Sequence, residues 1–190
     1  MIEDLRRTGL CRLGVVPWIE DFTRYLDGCE KFPGHVKARP RAGIECNSMQ
    51  DVMAAPHFLQ YARSFTPLAS EYFGEKAHLW SLNAFYTDKR TPFVPGIHGL
   101  HRDMEAEKIL CLFMFGTPAG PDGAQVIVPK GYADQWEAIC GPAGTAWLAD
   151  TTRPHFGLHT EAARMLVWAR WAAPGVPLAR FAEQLPEISP

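Results

Sequence analysis

The sequence lacks the cysteine pairs that mark small metal-stapled or disulfide-stapled folds. Its five cysteines (Cys11, Cys29, Cys46, Cys111 and Cys140) are odd in number and scattered, and no CxxC spacing occurs. Zinc fingers and disulfide frameworks are excluded on that ground, and reduced thiols are expected. An excess of one charge is also missing, the formal net charge being -2. Without a basic surplus, neither nucleic acid nor a membrane is expected as a partner. The longest apolar run, Ile109 to Phe115, is far too short to span a bilayer. The opening residues Met1 to Arg7 mix both charges and lead into no apolar block, unlike a secretory signal. A soluble, cytoplasmic protein is the expectation. Repeats and linkers are absent as well, so the 190 residues read as one domain.

What is there is globular in character: 47% of residues are hydrophobic and 21% charged, which argues against disorder. Thr8 to Val16 alternates loosely, as a strand would. Trp18 to Leu26 spaces Ile19, Phe22 and Leu26 for a helix, with Pro17 suited to its first turn. Phe32 to Arg41, with two prolines and several basic or histidine residues, reads as a loop. Pro56 to Phe73 has the strongest helical periodicity, through Phe58, Leu59, Ala62, Phe65, Ala69 and Tyr72. Pro67 should kink or divide that helix, and Gly74 should stop it.

After Gly74 the pattern turns to strands. His78 to Thr87, Ile109 to Phe115, Ala124 to Val128, Thr145 to Ala149 and Met165 to Ala172 are predicted, with Gly and Pro between them. The Ile109 to Phe115 run is apolar throughout, as expected of a strand covered on both faces. Helices followed by many short strands imply a mainly β protein with flanking α-helices, a sandwich or jelly roll. The expected layout is a single domain over 1-190. It has a mixed, mostly helical flank over 1-75, a jelly-roll core over 76-173 and a Pro-rich tail over 174-190.

The chemistry concentrates in two segments. In Gly99-Leu100-His101-Arg102-Asp103, His101 and Asp103 are two apart, so on an extended chain both face one point. His155 follows a later strand. Two imidazoles and one carboxylate form the facial triad of non-haem iron sites, which leaves three positions open. Arg164 lies nine residues past His155 at the start of the last strand. Its guanidinium is a fork for a carboxylate. HxD alone is a weak signal; HxD, a distal His after a strand and an Arg nine residues on together are a specific one.

These segments carry a resemblance. From about Pro56 onward the chain resembles the phytanoyl-CoA dioxygenase-like family of Fe(II)/2-oxoglutarate-dependent oxygenases. HGLHRDMEAEKILCLFMFGT is similar to that family's first metal motif, and GAQVIVPKG to its following strand. GTAWLADTTRPHFGLHTEAARMLVWARWA is similar to the second motif, with Asp150, His155, Gly157 and Arg164 in the family's order. The resemblance implies a double-stranded β-helix. It implies Fe(II) held by His101, Asp103 and His155, 2-oxoglutarate as co-substrate anchored by Arg164, O2 as oxidant, and a polar co-substrate contact at Asn83. The implied reaction is hydroxylation of an unactivated C–H, with release of succinate and CO2. A carboxylate at Asp103 fits hydroxylation, or a related outcome such as desaturation or ring closure, since halogenating relatives carry a small residue there. Three departures stand out: the chain is short for the family, Pro129-Lys130-Gly131 is not followed by Ser-His, and Leu166 stands where some relatives have Ser. The short chain suggests an open site, which would suit a bulky substrate or one presented by another protein or carrier; the expected substrate is a small or carrier-presented metabolite.

Other readings stay open at this point. His159 rivals His155, and His98 lies close to His101; both are read as site-rim or satisfied polar residues. Asp103 could cap a surface turn and Arg164 could pair at the surface. Lys108 suits a strand-end snorkel, and Arg153 a solvated loop or an acidic substrate. Trp80, Phe85, Tyr86, Trp147, Trp168 and Trp171 read as core. A cupin-like barrel using a metal without 2-oxoglutarate is the alternative enzyme class, and a silent jelly-roll interaction module is the third reading.

Overall fold

A computed structural model of the chain describes residues 1–36, 39–93, 98–103, 108–131 and 135–175. The expected Pro-rich tail therefore falls almost wholly outside the described residues.

The N-terminal half supplies five short helices. α1 (Ile2–Thr8) carries Glu3 and Asp4 in its first turn and Arg6 and Arg7 in its last, an order that suits the helix dipole. α2 (Ile19–Asp27) buries Ile19, Phe22 and Leu26, the three residues of its predicted stripe. α3 (Met49–Ala54) is capped by Ser48, whose hydroxyl accepts from the Asp51 N–H. The long periodic segment is two helices, α4 (Phe58–Ser64) and α5 (Thr66–Phe73), with Pro67 in the first turn of the second. A proline there costs no hydrogen bond. Gly74 ends α5 at φ 73°, a backbone angle that glycine takes without strain.

The strands form a seven-stranded antiparallel sheet in the order β1-β8-β5-β10-β4-β3-β2 and a three-stranded sheet in the order β7-β6-β9. Three of them precede the helices α3 to α5: β1 (Leu10–Val15), β2 (Phe32–Val36) and β3 (Arg39–Cys46). The loop expected over 32–41 is thus corrected to strand over 32–36 and 39–41. Pro33 and Pro40 lie in β2 and β3, the outermost pair of the large sheet, where a missing N–H is tolerated. β4 (His78–Thr87) and β5 (Ile109–Phe115) match their predicted spans. β6 (Gln125–Ile127), β8 (Thr145–Asp150) and β10 (Arg164–Ala172) shift by a residue or two at their ends. β7 (Glu137–Ile139) and β9 (His155–Gly157) are each three residues, too short for a periodic signal.

Strand alternation sorts the large sheet into two faces. Leu110, Leu112 and Met114 of β5, with Met165, Val167, Ala169 and Trp171 of β10, pack against the helices. Cys111, Phe113 and Phe115 turn the other way, with Trp147, Ala149 and Leu166, toward Ile127 and Ile139 of the small sheet. β5 is buried along its whole length, which accounts for its unbroken apolar run. Two sheets closing on one inner face make the jelly roll, with the helices as an outer layer.

Candidate metal centre

The site begins at the turn after β8. Asp150 Oδ1 accepts from the Thr152 N–H at 3.0 Å and from the Thr152 hydroxyl at 2.6 Å. Asp150 Oδ2 accepts from the Tyr72 hydroxyl at 2.8 Å. A carboxylate that closes its own turn fixes the path of the next residues. Those residues lead into β9, whose first residue is His155. There the HxD segment pairs with β9: His101 and His155 form an isolated antiparallel bridge. The His101 N–H donates to the His155 carbonyl at 3.1 Å, and the His155 N–H to the His101 carbonyl at 2.9 Å. Residues directly opposed across such a bridge put their side chains on one side. The Asp103 N–H donates to the Thr151 carbonyl at 2.8 Å, which anchors the third candidate ligand to the same turn.

The donor atoms converge. One ligand atom from each of His101, Asp103 and His155 lies within 4.8 Å of the others. His101 Nε2 is 3.9 Å from Asp103 Oδ1, and His155 Nε2 is 4.0 Å from Asp103 Oδ2. Each imidazole is also fixed from behind. His101 Nδ1 is 2.8 Å from the Gly99 carbonyl, and His155 Nδ1 is 2.9 Å from the Arg153 carbonyl. A carbonyl can only accept, so Nδ1 carries the proton in the neutral ring. Each Nε2 lone pair then points into the cluster, as a metal ligand requires.

The electrostatics favour the same protonation states. Burial would raise the Asp103 pKa, but the Arg170 guanidinium and the two imidazoles outweigh it, so the carboxyl sits below its ordinary value. Burial lowers the His155 pKa, and the nearby Asp103 only partly reverses it. Near neutral pH the group therefore offers one carboxylate and a neutral His155. That donor set fits a divalent iron, which accepts imidazole nitrogen and carboxylate oxygen together.

Arg164 lies on the same inner face. It is 4% exposed, and burial alone pulls its pKa down to about 10. Nη1 donates to the Gly123 carbonyl at 2.9 Å and to the Leu158 carbonyl at 3.2 Å. Nε is buried with no partner among the described residues. Gly157 makes room for the group: a Cβ there would stand 3.0 Å from Arg164 Nη2 and 3.2 Å from Gln125 Oε1. Thr87 is directly opposite Arg164 on β4, and its buried hydroxyl is also without a partner among the described residues. A positioned cation and a spare hydroxyl, both cut off from water, suit a carboxylate from outside the chain. Asn83 shares this face opposite Trp168, and its side-chain amide donates to the Ser81 hydroxyl at 2.7 Å.

Two residues of this face were missed in the sequence: Thr87, and Arg170, whose Nη2 is 3.0 Å from Asp103 Oδ2. Arg170 was legible in principle, because its even offset from Arg164 puts both on one face of β10. The open alternatives also resolve. His159 Nε2 is 2.6 Å from the Thr91 carbonyl, and its ring packs against that of His98 at 4.9 Å. Neither joins the cluster, and among the described residues only three donors converge. Lys108 holds the Phe73 carbonyl at 2.8 Å and Glu75 at 2.7 Å at the outer end of β5, so it is structural. Arg153 donates to the Pro129 carbonyl at 3.3 Å. Trp147 and Trp171 are fully buried, as core residues should be.

No protein-family model and no curated protein sequence matches the chain. Its likeness to solved structures is one of fold. SnoN, the non-haem α-ketoglutarate-dependent epimerase of nogalamycin biosynthesis, aligns with 100% of this chain and 87% of its own, at 14% identity and a TM-score of 0.67. HygX from Streptomyces hygroscopicus, solved with nickel and 2-oxoglutarate bound, covers 90% of this chain and 85% of its own, at 15% identity and a TM-score of 0.64. An oxidoreductase of the 2OG-Fe(II) oxygenase family from Burkholderia pseudomallei covers 90% and 87%, at 12% identity and a TM-score of 0.63. The chain has the jelly-roll fold of these 2-oxoglutarate-dependent enzymes. The finer likeness to phytanoyl-CoA dioxygenases has no counterpart among these three.

Proposed function

We propose that the chain is an Fe(II)- and 2-oxoglutarate-dependent oxygenase that hydroxylates a C–H bond of a small molecule. The carrying observation is the convergence of the Nε2 atoms of His101 and His155 with the Asp103 carboxylate, on the inner face that also holds the buried Arg164, whose Nε has no partner among the described residues. His101, Asp103 and His155 would hold the iron. Arg164, with the Thr87 hydroxyl, would hold the distal carboxylate of 2-oxoglutarate, and Asn83 lies on the strand beside it. When bound, iron with O2 and 2-oxoglutarate supplies the oxidising power, the co-substrate leaving as succinate and CO2. The protein's own part is to bind, orient and keep water out. Phe113, Trp147, Leu166 and Trp168 line the inner face around the site, and Phe85 stacks on Trp168 at 4.2 Å. The solved neighbours include enzymes captured with nogalamycin RO and with hygromycin B, which supports a small-molecule substrate here. They also include a carbocyclase and an epimerase, so the product must be identified directly.

The test is an anaerobic titration of the apoprotein with Fe(II) and then 2-oxoglutarate, followed by visible absorption. A weak charge-transfer band that disappears in His155→Ala supports the reading. Iron binding without a band removes 2-oxoglutarate and favours a cupin-like enzyme. No iron binding removes the enzyme reading altogether. A substrate screen by succinate release, with the product expected to gain one oxygen atom, then tests hydroxylation.

A further inference from the structure

Arg170 is the charged residue of the inner face that the metal and co-substrate roles leave unused. It stands six residues beyond Arg164 on β10 and is paired with Ser81 on one side and Cys111 on the other. Its guanidinium lies 4.9 Å from the Trp168 ring centre and 6.0 Å from that of Trp80, so aromatic faces fix its plane. Its side chain is 17% exposed, equal to that of Asp103. The nearest charged group to Asp103 Oδ2 is Arg170 Nη2 at 3.0 Å, ahead of His155 Nε2 at 4.0 Å, while Oδ1 lies 3.9 Å from His101 Nε2. The contact is an ion pair without full hydrogen-bond alignment, since Oδ2 and Arg170 Nε are both buried without a hydrogen-bond partner among the described residues.

A carboxylate can bind a metal through one oxygen or through both. With both, it takes one of the three positions that a facial triad leaves open. Two of those would go to 2-oxoglutarate and one to O2, so a chelating Asp103 would cost the enzyme its oxidant site. We propose that Arg170 is a positioning residue that reserves Oδ2 of Asp103, so that the carboxylate meets the metal through Oδ1 alone and the third open position stays free. This rests on the metal reading above. Arg170 acts through Asp103 and touches neither co-substrate nor substrate in this assignment.

The experiment counts waters on Mn(II), a redox-silent stand-in, by its effect on water proton relaxation, with affinity measured alongside by the electron paramagnetic resonance signal of free Mn(II). Wild-type protein, Arg170→Met and Arg170→Lys are compared, each with its thermal midpoint. In Arg170→Met the relaxation enhancement per bound Mn(II) is expected to fall by about one third, as one of three exchangeable waters is displaced. Affinity is expected to hold or rise. Arg170→Lys restores the charge on Oδ2 and is expected to restore the wild-type enhancement. An unchanged enhancement in Arg170→Met, or a fall that lysine does not rescue, overturns the proposal, whatever happens to the thermal midpoint. If Arg170→Met does not fold, Arg170→Gln takes its place, with the same two outcomes. No Mn(II) binding by the wild-type chain overturns the metal reading and this proposal with it. Wild-type binding with no change in the variants overturns this proposal alone.

Discussion

Arg164 shows what a buried charge costs and why it would be kept. Its guanidinium is held by two backbone carbonyls, while Nε has no partner and burial depresses its pKa to about 10. An uncompensated buried cation destabilises a fold, and an apolar side chain of similar volume is often tolerated better, by about 1–4 kcal/mol. Arg164→Met is therefore expected to raise the thermal midpoint of the apoprotein. The same variant should lose at least about thirty-fold in 2-oxoglutarate affinity, the lower end for removing one partner of a buried charge pair. Calorimetric titration against metal-loaded protein checks the second effect. His155 makes a prediction in pH. Its folded pKa lies below the ordinary 6.5 because it is buried. As pH falls through 6.5, the unfolded chain takes up the proton first, so the folded state loses stability. The apoprotein's thermal midpoint should therefore drop between pH 7 and pH 5.5, and the drop should be smaller in His155→Gln. Asp103 does not confuse that window. Its pKa is depressed from 3.8, so its own contribution is present above 3.8 and is lost only at more acid pH.

At the scale of elements, the site is built by one strand and one bridge. Alternation along β10 points Arg164, Leu166, Trp168 and Arg170 inward, while Met165, Val167, Ala169 and Trp171 meet the helices. β9 is three residues long, yet it carries His155 at one end and Gly157 at the other. Gly157 is needed there for space, since an added Cβ would stand 3.0 Å from Arg164 Nη2. Gly157→Ala is expected to push the guanidinium aside and weaken 2-oxoglutarate binding about ten-fold, a loss of about 1.4 kcal/mol. Mn(II) affinity should be unchanged, because the His101 and His155 backbone bridge is untouched. Parallel titrations with Mn(II) and 2-oxoglutarate read the two effects separately. The strands that carry the core were legible because β4 and β5 are long and apolar. β7 and β9 were not, because three residues hold too little pattern. α1 escaped notice for a related reason: it buries only Leu5.

At the scale of the molecule, two hydrophobic layers share one sheet. The helix-side layer includes Phe22, Leu26, Phe58 and Trp171, and the inner layer includes Phe113, Phe115 and Trp147. The helix-side layer sits behind the sheet from the site. Phe22→Ala should therefore lower folding stability by about 3–5 kcal/mol without altering Mn(II) affinity in the folded protein. Denaturant unfolding and a Mn(II) titration at low temperature check the two halves of that statement.

The sequence by itself determined the spans of β4 and β5, the division of the long helix at Pro67 and the pairing of His101 with Asp103 as candidate donors. Each of these follows from local pattern: apolar runs of strand length, a missing N–H at proline, and two donor side chains two residues apart on one extended segment. Tertiary structure decided the rest. It brought β1, β2 and β3 into the large sheet and made strand of 32–36 and 39–41, where a loop was expected, the outermost pair of strands accommodating Pro33 and Pro40. It chose His155 over His159 by pairing His155 with His101 across a backbone bridge and leaving His159 on the Thr91 carbonyl. It also set Arg170 against Asp103 and Thr87 opposite Arg164. Such contacts depend on strand register between distant segments, which no local spacing encodes.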